Sequence, residues 1–133
     1  MGIDVSEVSE DFVGIKLSET NEINSGFGIF YEKSFFQITD GRYTAYGIIY
    51  DLYNQGSDLA ELARFFVPKE YRNNGFGKLA AVSLINYIFE IKPKIVVDPV
   101  NSSIGFWCKV ACRFETDVIF EDIGSPKFIW HKI

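Results

Sequence analysis

An apolar run that ends at a proline, followed by two closely spaced glycines and a long apolar segment, constrains this chain more than any other feature. The run covers Leu59 to Val67, Pro68 ends it, and Gly75 and Gly77 open the next segment. Proline fixes φ and lacks the N–H that a strand ladder needs. The pattern predicts a strand, a glycine loop and a helix in succession.

A strand, a glycine loop and a helix in succession can form a binding site for an anion. Glycine allows positive φ and close approach of a ligand, and the N–H groups of a first helical turn have no partner inside the helix. Arg72 and Lys78 flank the glycines with two positive charges in a chain of net charge −5. The loop predicts a phosphate site. The alternative is an ordinary strand-to-helix turn, because a lone Gly-x-Gly is a weak signal.

Two segments resemble a known family. Arg72-Asn-Asn-Gly-Phe-Gly77 resembles the acetyl-CoA loop of the GNAT N-acetyltransferases, whose usual pattern is Arg/Gln-x-x-Gly-x-Gly/Ala. Asn101-Ser-Ser-Ile-Gly-Phe-Trp-Cys-Lys109 resembles the helix that follows in that family. The resemblance covers Phe35 to Phe114. It implies an α/β (α+β) fold with a mixed, mainly antiparallel sheet flanked by helices, and acetyl-CoA as co-substrate.

The resemblance also implies which residues meet acetyl-CoA. The edge of the strand at 65–67 would pair with the pantetheine arm, and backbone N–H groups of 74–77 would hold the phosphates. The candidate cofactor residues are Phe65, Phe66, Val67, Arg72, Asn73, Asn74, Gly75, Phe76, Gly77, Lys78, Asn101 and Trp107. Trp107 stands where the family usually has a tyrosine that protonates the thiolate, and an indole N–H is no usable acid at neutral pH. The proton donor is therefore another residue, such as one of the seven tyrosines, or water, or else turnover is slow or absent.

Glu61 is the candidate catalytic base, since many proteins of the family carry a glutamate on this strand. Simple alternation gives it the parity of Ala63, Phe65 and Val67, which predicts a buried face where desolvation raises a carboxyl pKa. The alternative is a glutamate paired with a neighbouring basic residue.

The remaining pattern predicts the order of the elements. Residues 3–11 read as a loose turn or a short helix, and Phe12 to Leu17 as a first strand. Asp40-Gly41 between two β-rich runs predicts a hairpin with a type I′ turn. Gly47 within the second run indicates a bulge or a close backbone approach.

Further along, the pattern predicts a helix, a short parallel strand, a second helix and two closing strands. The first of these helices would run from Gly77 to Ile91. One stripe of its surface would be buried and consists of Leu79, Val82, Ile85 and Phe89, with Ala81, Leu84 and Ile88 beside it. The parallel strand is Ile95 to Val97, the second helix reaches about Cys112, and the closing strands are Phe114 to Phe120 and Lys127 to Lys132.

Composition bounds the class of protein. With 133 residues and 47% hydrophobic residues, we expect one domain over 1–133. The acidic net charge disfavours nucleic acid and anionic membranes and favours cationic partners such as amines. No apolar run spans a membrane and no signal peptide is evident, which predicts a cytoplasmic protein. Cys108, Cys112 and His131 are too few ligands for a structural zinc site.

The leading hypothesis is an N-acetyltransferase that moves an acetyl group from acetyl-CoA to a primary amine of a small molecule or peptide by direct attack. Two alternatives remain: a CoA-binding module that has lost turnover, and an interaction domain whose glycines only form a turn. The aromatic-rich strands make a homodimer plausible.

Overall fold

The computed structural model describes residues 2–9, 32–72, 75–97, 103–119 and 127–132, in which seven strands form one sheet. Two α-helices and a short 3-10 helix accompany it. The strands are β1 (Asp4–Val8), β2 (Lys33–Thr39), β3 (Thr44–Tyr50), β4 (Leu59–Phe66), β5 (Lys94–Val97), β6 (Glu115–Ile119) and β7 (Lys127–His131). The helices are α1 (Phe76–Phe89) and α2 (Ile104–Ala111), with the 3-10 helix at Lys69–Tyr71. None of these helices is long and apolar enough to cross a membrane.

The strands lie in the order β1-β2-β3-β4-β5-β7-β6. Only β4 and β5 pair in parallel, and the other neighbours are antiparallel. A parallel pair needs a crossover, which α1 provides. The predicted mixed, mainly antiparallel sheet, with its meander, crossover and closing strand pair, is confirmed.

The N-terminal segment differs from the prediction. It forms β1, in which Val5 pairs with Ile38 and Val8 with Phe35 of β2, where the sequence predicted a turn or a short helix. Val5 packs against the main core, so a few apolar contacts with β2 outweigh the polar composition of this segment. The strand predicted at residues 12–17 lies outside the described residues.

The predicted β2–β3 hairpin is present, but its turn is different. Thr39 pairs with Thr44, which leaves a loop of residues 40–43. Gly41 has φ of 92°, whereas Asp40 does not adopt a positive φ, so the type I′ turn is wrong. Asp40 Oδ1 instead accepts the N–H groups of Tyr43 at 2.7 Å and Arg42 at 2.8 Å. These donors lower the pKa of the Asp40 carboxyl.

Helix α1 packs on one face of the sheet and forms the main core with it. Its buried residues are Phe76, Ala80, Ala81, Leu84, Ile85, Ile88 and Phe89. Leu79, expected on the buried stripe, is 51% exposed. The helix is apolar on most of its circumference, so periodicity alone did not select the face that meets the sheet. The helix also ends at Phe89, two residues before the predicted end.

The opposite face of the sheet carries a second cluster of buried side chains. We call it the second cluster; it consists of Phe35, Tyr46, Ile48, Tyr50 and Phe66, with Val8 and Ala63 packed against it. Cross-strand partners share a face. Membership of the main core or the second cluster therefore tells which way each residue of β4 points.

Gly47 marks a close approach of α1 to the sheet. A Cβ built on Gly47 would lie 2.6 Å from Cδ2 of Leu84, which is fully buried. The group that comes close to Gly47 is a side chain of α1 and not a backbone segment. The β-bulge lies in the neighbouring strand β4 and not at Gly47. Gly47 is thus required by packing.

We expect Gly47→Ala to destabilise the protein by about 1–3 kcal/mol, because the added methyl group would force the fully buried Leu84 side chain out of its packed position. Urea denaturation measures the effect. Gly105→Ala is the control: Gly105 lies on α2 with no atom near a built Cβ, and there alanine should stabilise by about 0.5–1 kcal/mol. A penalty for Gly47→Ala that is as large in a Leu84→Ala background as in the wild type would contradict this explanation.

Candidate functional site

A β-bulge in β4 determines how the candidate site is built. Ile49 pairs with Leu62 and Ile48 pairs with Arg64, so Ala63 is an extra residue in β4. A bulge interrupts the alternation of side chains. Beyond it, Phe65 packs against the main core.

Glu61 lies on the face of the second cluster, where it pairs with Tyr50 across β3 and β4. It is half-buried. The predicted shared face holds for Ala63, which packs against the second cluster. It is wrong for Phe65 and Val67, because these two residues lie beyond the bulge and pack against the main core. Alternation holds along a strand only while the register is continuous.

Strand β4 loses its parallel partner halfway along. It pairs with β5 at Leu59, Ala60 and Glu61 only, whereas its pairing with β3 continues to Phe66. Among the described residues, no strand pairs with 62–66 on the side of β5. Unpaired backbone N–H and C=O groups of a strand edge can bind an extended ligand. The candidate residues Phe65 and Phe66 lie on this edge, and Val67 follows it.

The glycine loop leads from this edge into α1. Gly75 is the N-cap of α1 with φ of 82°, in the left-handed region, and as a glycine it has no side chain with which to cap the first turn. Gly75 is exposed, and a Cβ built on it would meet no atom within 4 Å. Asn73, Asn74 and Asn101 lie outside the described residues. The first-turn N–H groups of α1 thus begin beside an exposed glycine, as an anion site requires.

Two other loop residues serve packing as well. The Phe76 side chain is buried and packs against Tyr43 at a ring distance of 5.7 Å, so it offers a ligand only its backbone. A Cβ on Gly77 would lie 3.4 Å from the Phe106 ring and 3.4 Å from Val67. Gly77 therefore lets α2 and the end of β4 pack against the first turn of α1.

The two candidate cations lie on either side of the glycines. Arg72 is exposed, and its Nε donates to the carbonyl oxygen of Val67 at 2.6 Å. This bond ties the guanidinium group to the end of β4. Lys78 is half-buried in the first turn of α1.

Trp107 lies in the main core and is 6% exposed. Its ring is 5.8 Å from Phe65, 4.9 Å from Phe106 and 5.8 Å from Trp130. These contacts hold α2 against β4 and β7. The structure gives Trp107 a packing role, and its indole N–H remains unsuited as an acid.

Phe106 is a residue that the analysis of the sequence missed. It is half-buried, stacks on Phe65 at 5.9 Å and reaches Gly77. It therefore joins the free edge of β4 to the first turn of α1. The aromatic pair in the second motif was the available signal, but it did not tell which ring would face the glycine loop.

The other polar pairs belong to different parts of the sheet. His131 Nε2 is 2.8 Å from Asp117 Oδ2 on the β6–β7 pair. Tyr53 donates to Glu7 at 2.6 Å, which raises the pKa of Tyr53 to about 12. In the part of the chain described here, no group of three or more His, Cys, Asp or Glu side chains is placed to hold a metal.

We expect Gly75→Ala to destabilise the protein by about 1–2 kcal/mol, because a Cβ is unfavourable in the left-handed region. Gly75→Asn should cost less, since asparagine tolerates this conformation. Urea denaturation of both variants measures the difference. Equal stability of wild type and Gly75→Ala would show that the left-handed conformation is not required.

The comparisons with known proteins agree at the level of structure. No family model and no curated protein sequence matches the chain. A spermidine N-acetyltransferase variant from Vibrio cholerae superposes with a TM-score of 0.69 at 12% identity, covering 96% of this chain and 94% of that chain. An acetyltransferase from Bacillus subtilis in complex with CoA gives 0.59 at 14% identity, covering 99% of both chains.

A third structure, an acetyltransferase of the GNAT family from Staphylococcus aureus, gives a TM-score of 0.56 at 15% identity, covering 98% of this chain and 99% of that chain. At such identities the likeness concerns the arrangement of strands and helices, and the site residues have to be argued from this chain. The resemblance noted in the sequence is confirmed in the architecture: this chain has the fold of the GNAT acetyltransferases.

Proposed function

We propose that this protein transfers an acetyl group from acetyl-CoA to a primary amine. The observation that carries the proposal is that, among the described strands, none pairs with β4 beyond Glu61 on the side of β5, and that this edge leads into a left-handed glycine at the start of α1. The solved acetyltransferases with this fold support the same reaction class.

Acetyl-CoA would bind along these elements. Its pyrophosphate fits the first-turn N–H groups of α1, with Arg72 and Lys78 adding positive charge. The pantetheine arm, which carries amide groups, fits the backbone edge at 62–66 as an added strand would. Phe106 would then form an apolar wall between the two. The Bacillus subtilis structure, which contains CoA, supports this choice of ligand.

The chemistry would be a direct displacement. The amine nitrogen attacks the thioester carbonyl carbon, a C–N bond forms, and the C–S bond breaks. Glu61 would accept the proton that the amine loses, directly or through a water. The leaving thiolate would take its proton from solvent, because the residue on α2 that the resemblance assigns to this role, Trp107, is a buried indole.

The acceptor would reach the thioester from the face of the second cluster, where Glu61 lies. A primary amine of a small molecule or a peptide meets this requirement, and the Vibrio cholerae protein is named for a small polyamine, spermidine. The net charge of −5 supports attraction of cationic acceptors.

A second candidate function is CoA binding without turnover. The tryptophan at position 107 favours it, because without an acidic side chain on α2 to protonate the leaving thiolate the transfer reaction would be slower. Binding of CoA together with no acetylation of any amine would support this candidate. An interaction domain without a ligand would show neither CoA binding nor acetylation.

Melting experiments with CoA, acetyl-CoA and dephospho-CoA test the cofactor site. At a ligand concentration of 100 times Kd, we expect a stabilisation of about 2.7 kcal/mol, which is several degrees for a domain of this size. Gly75→Asp should abolish the shift, while Gly75→Asn should retain most of it. Both side chains tolerate the left-handed region, so the pair differs mainly in the negative charge beside the phosphates.

No shift with any of the three ligands would remove the acetyltransferase proposal. An equal shift in Gly75→Asp and Gly75→Asn would mean that CoA binds away from the glycine loop.

Glu61→Gln tests the base. We expect the turnover number to fall by roughly 10²–10⁴-fold, with loss of the acidic limb of the pH profile, because glutamine cannot accept the proton. The melting shift with CoA should be retained, since Glu61 is not proposed to hold the cofactor. An unchanged rate and pH profile would contradict the assignment of Glu61.

A further inference from the structure

We propose that the acceptor is an α-amino acid, whose carboxylate binds Arg64 while its amine lies at Glu61. This inference rests on the proposed acetyl transfer and names the class of acceptor. The observation behind it is the face of the sheet on which the bulge in β4 places Arg64.

Continuous alternation would have placed Arg64 in the main core. Leu62 faces α1 and is buried there, so residue 64 of a regular strand would face α1 as well. The extra residue Ala63 reverses this. Arg64 pairs with Ile48 of the second cluster, and Phe65 takes the place in the main core. The bulge thus moves a guanidinium group to the face that carries Glu61.

The surroundings of Arg64 are mostly apolar. Its partner Ile48 is fully buried, and the neighbouring cross-strand pair on the same face, Tyr46 and Phe66, has ring centroids 5.2 Å apart. Arg64 itself is half-buried. A guanidinium in such a place needs anionic or carbonyl partners, and it offers five N–H donors in a planar fork that matches a carboxylate. Arg64 already takes part in an interaction within the protein, and five donors serve more than one acceptor group.

The spacing of the two charges fits a small molecule. Glu61 and Arg64 pair with Tyr50 and Ile48, which are two residues apart on β3. Two residues of strand span about 7 Å. The backbone positions of Glu61 and Arg64 therefore lie about 7 Å apart on one face, a spacing that one amino acid can bridge between the two side chains. A polyamine would place a second cation against Arg64, and this repulsion disfavours it.

The acidic net charge does not oppose this assignment. Beyond about 8 Å, charges in solution are screened at physiological salt. A bidentate contact between Arg64 and a carboxylate is local, and charge-assisted bonds of this kind are among the stronger ones. The global charge would then affect association more than selection of the acceptor.

The test compares amino acids with the amines obtained by removing their carboxylate. Leucine, phenylalanine and lysine are paired with isopentylamine, phenethylamine and cadaverine, and spermidine is added. Acetylation is followed by release of CoA, and kcat and KM are determined for each acceptor. We expect the wild type to prefer at least one amino acid over its amine by roughly 10-fold or more.

Arg64→Gln should lower kcat/KM for the preferred amino acid by roughly 10–100-fold, mainly through KM, and change kcat/KM for the amines less than about 2-fold. Arg64→Lys keeps the charge but loses the planar fork, so it should give an intermediate value. Arg113→Gln is the control, because Arg113 is an exposed cation beyond the end of α2. It should change neither class of acceptor.

A merely structural role for Arg64 would lower the melting temperature and reduce activity equally for amino acids and amines, and this outcome overturns the inference. A wild-type preference for spermidine or for the amines overturns it as well and leaves acetyl transfer intact. If CoA shifts the melting temperature but no acceptor is acetylated, the inference fails and the non-catalytic module stands. Absence of both the shift and acetylation removes the proposed function too.

Discussion

The pairing of β4 with its two neighbours is the constraint on which the rest of the structure depends. β4 stays paired with β3 along most of its length, and it is paired with β5 only up to Glu61. A strand with one free edge inside a protein is costly unless something else satisfies its backbone groups. In the described part of the chain no strand pairs with this edge beyond Glu61, and it leads into the glycine loop, so the proposed CoA ligand would meet both needs at once.

The bulge at Ala63 is a second consequence of the same strand. It lets β4 place apolar side chains on the main core at both ends while presenting Glu61 and Arg64 on the opposite face. A regular strand with this sequence would have buried a guanidinium group beneath α1 and turned Phe65 to the face of the second cluster. Burying an unpaired charge costs far more than inserting one residue in a ladder. The bulge is therefore the arrangement that this sequence favours, and it also gives the candidate acceptor face its charges.

Packing around the loop explains why small residues stand where they do. Gly47 makes room for Leu84, and Gly77 makes room for Phe106, so α1 lies close to the sheet and to α2. Of these three glycines, Gly75 is the one with a left-handed conformation. Gly75 is therefore explained by its backbone conformation, whereas Gly47 and Gly77 are explained by the space that neighbouring side chains occupy. Trp107 belongs to the same packing, which explains why an aromatic side chain without an acidic proton fits at its position.

Local pattern in the sequence was enough for the order of the elements, the strand–loop–helix succession, the position of the β2–β3 hairpin and the fold class. Proline, glycine and apolar runs act over a few residues, so their effects can be read along the chain. The sequence alone did not determine the face of Glu61, the side to which Arg64 turns, the exposure of Leu79 or the strand at Asp4–Val8. These depend on cross-strand register and on which surface of a helix meets the sheet. Both are decided by contacts between residues far apart in the chain, and one extra residue in β4 reverses every side chain that follows it.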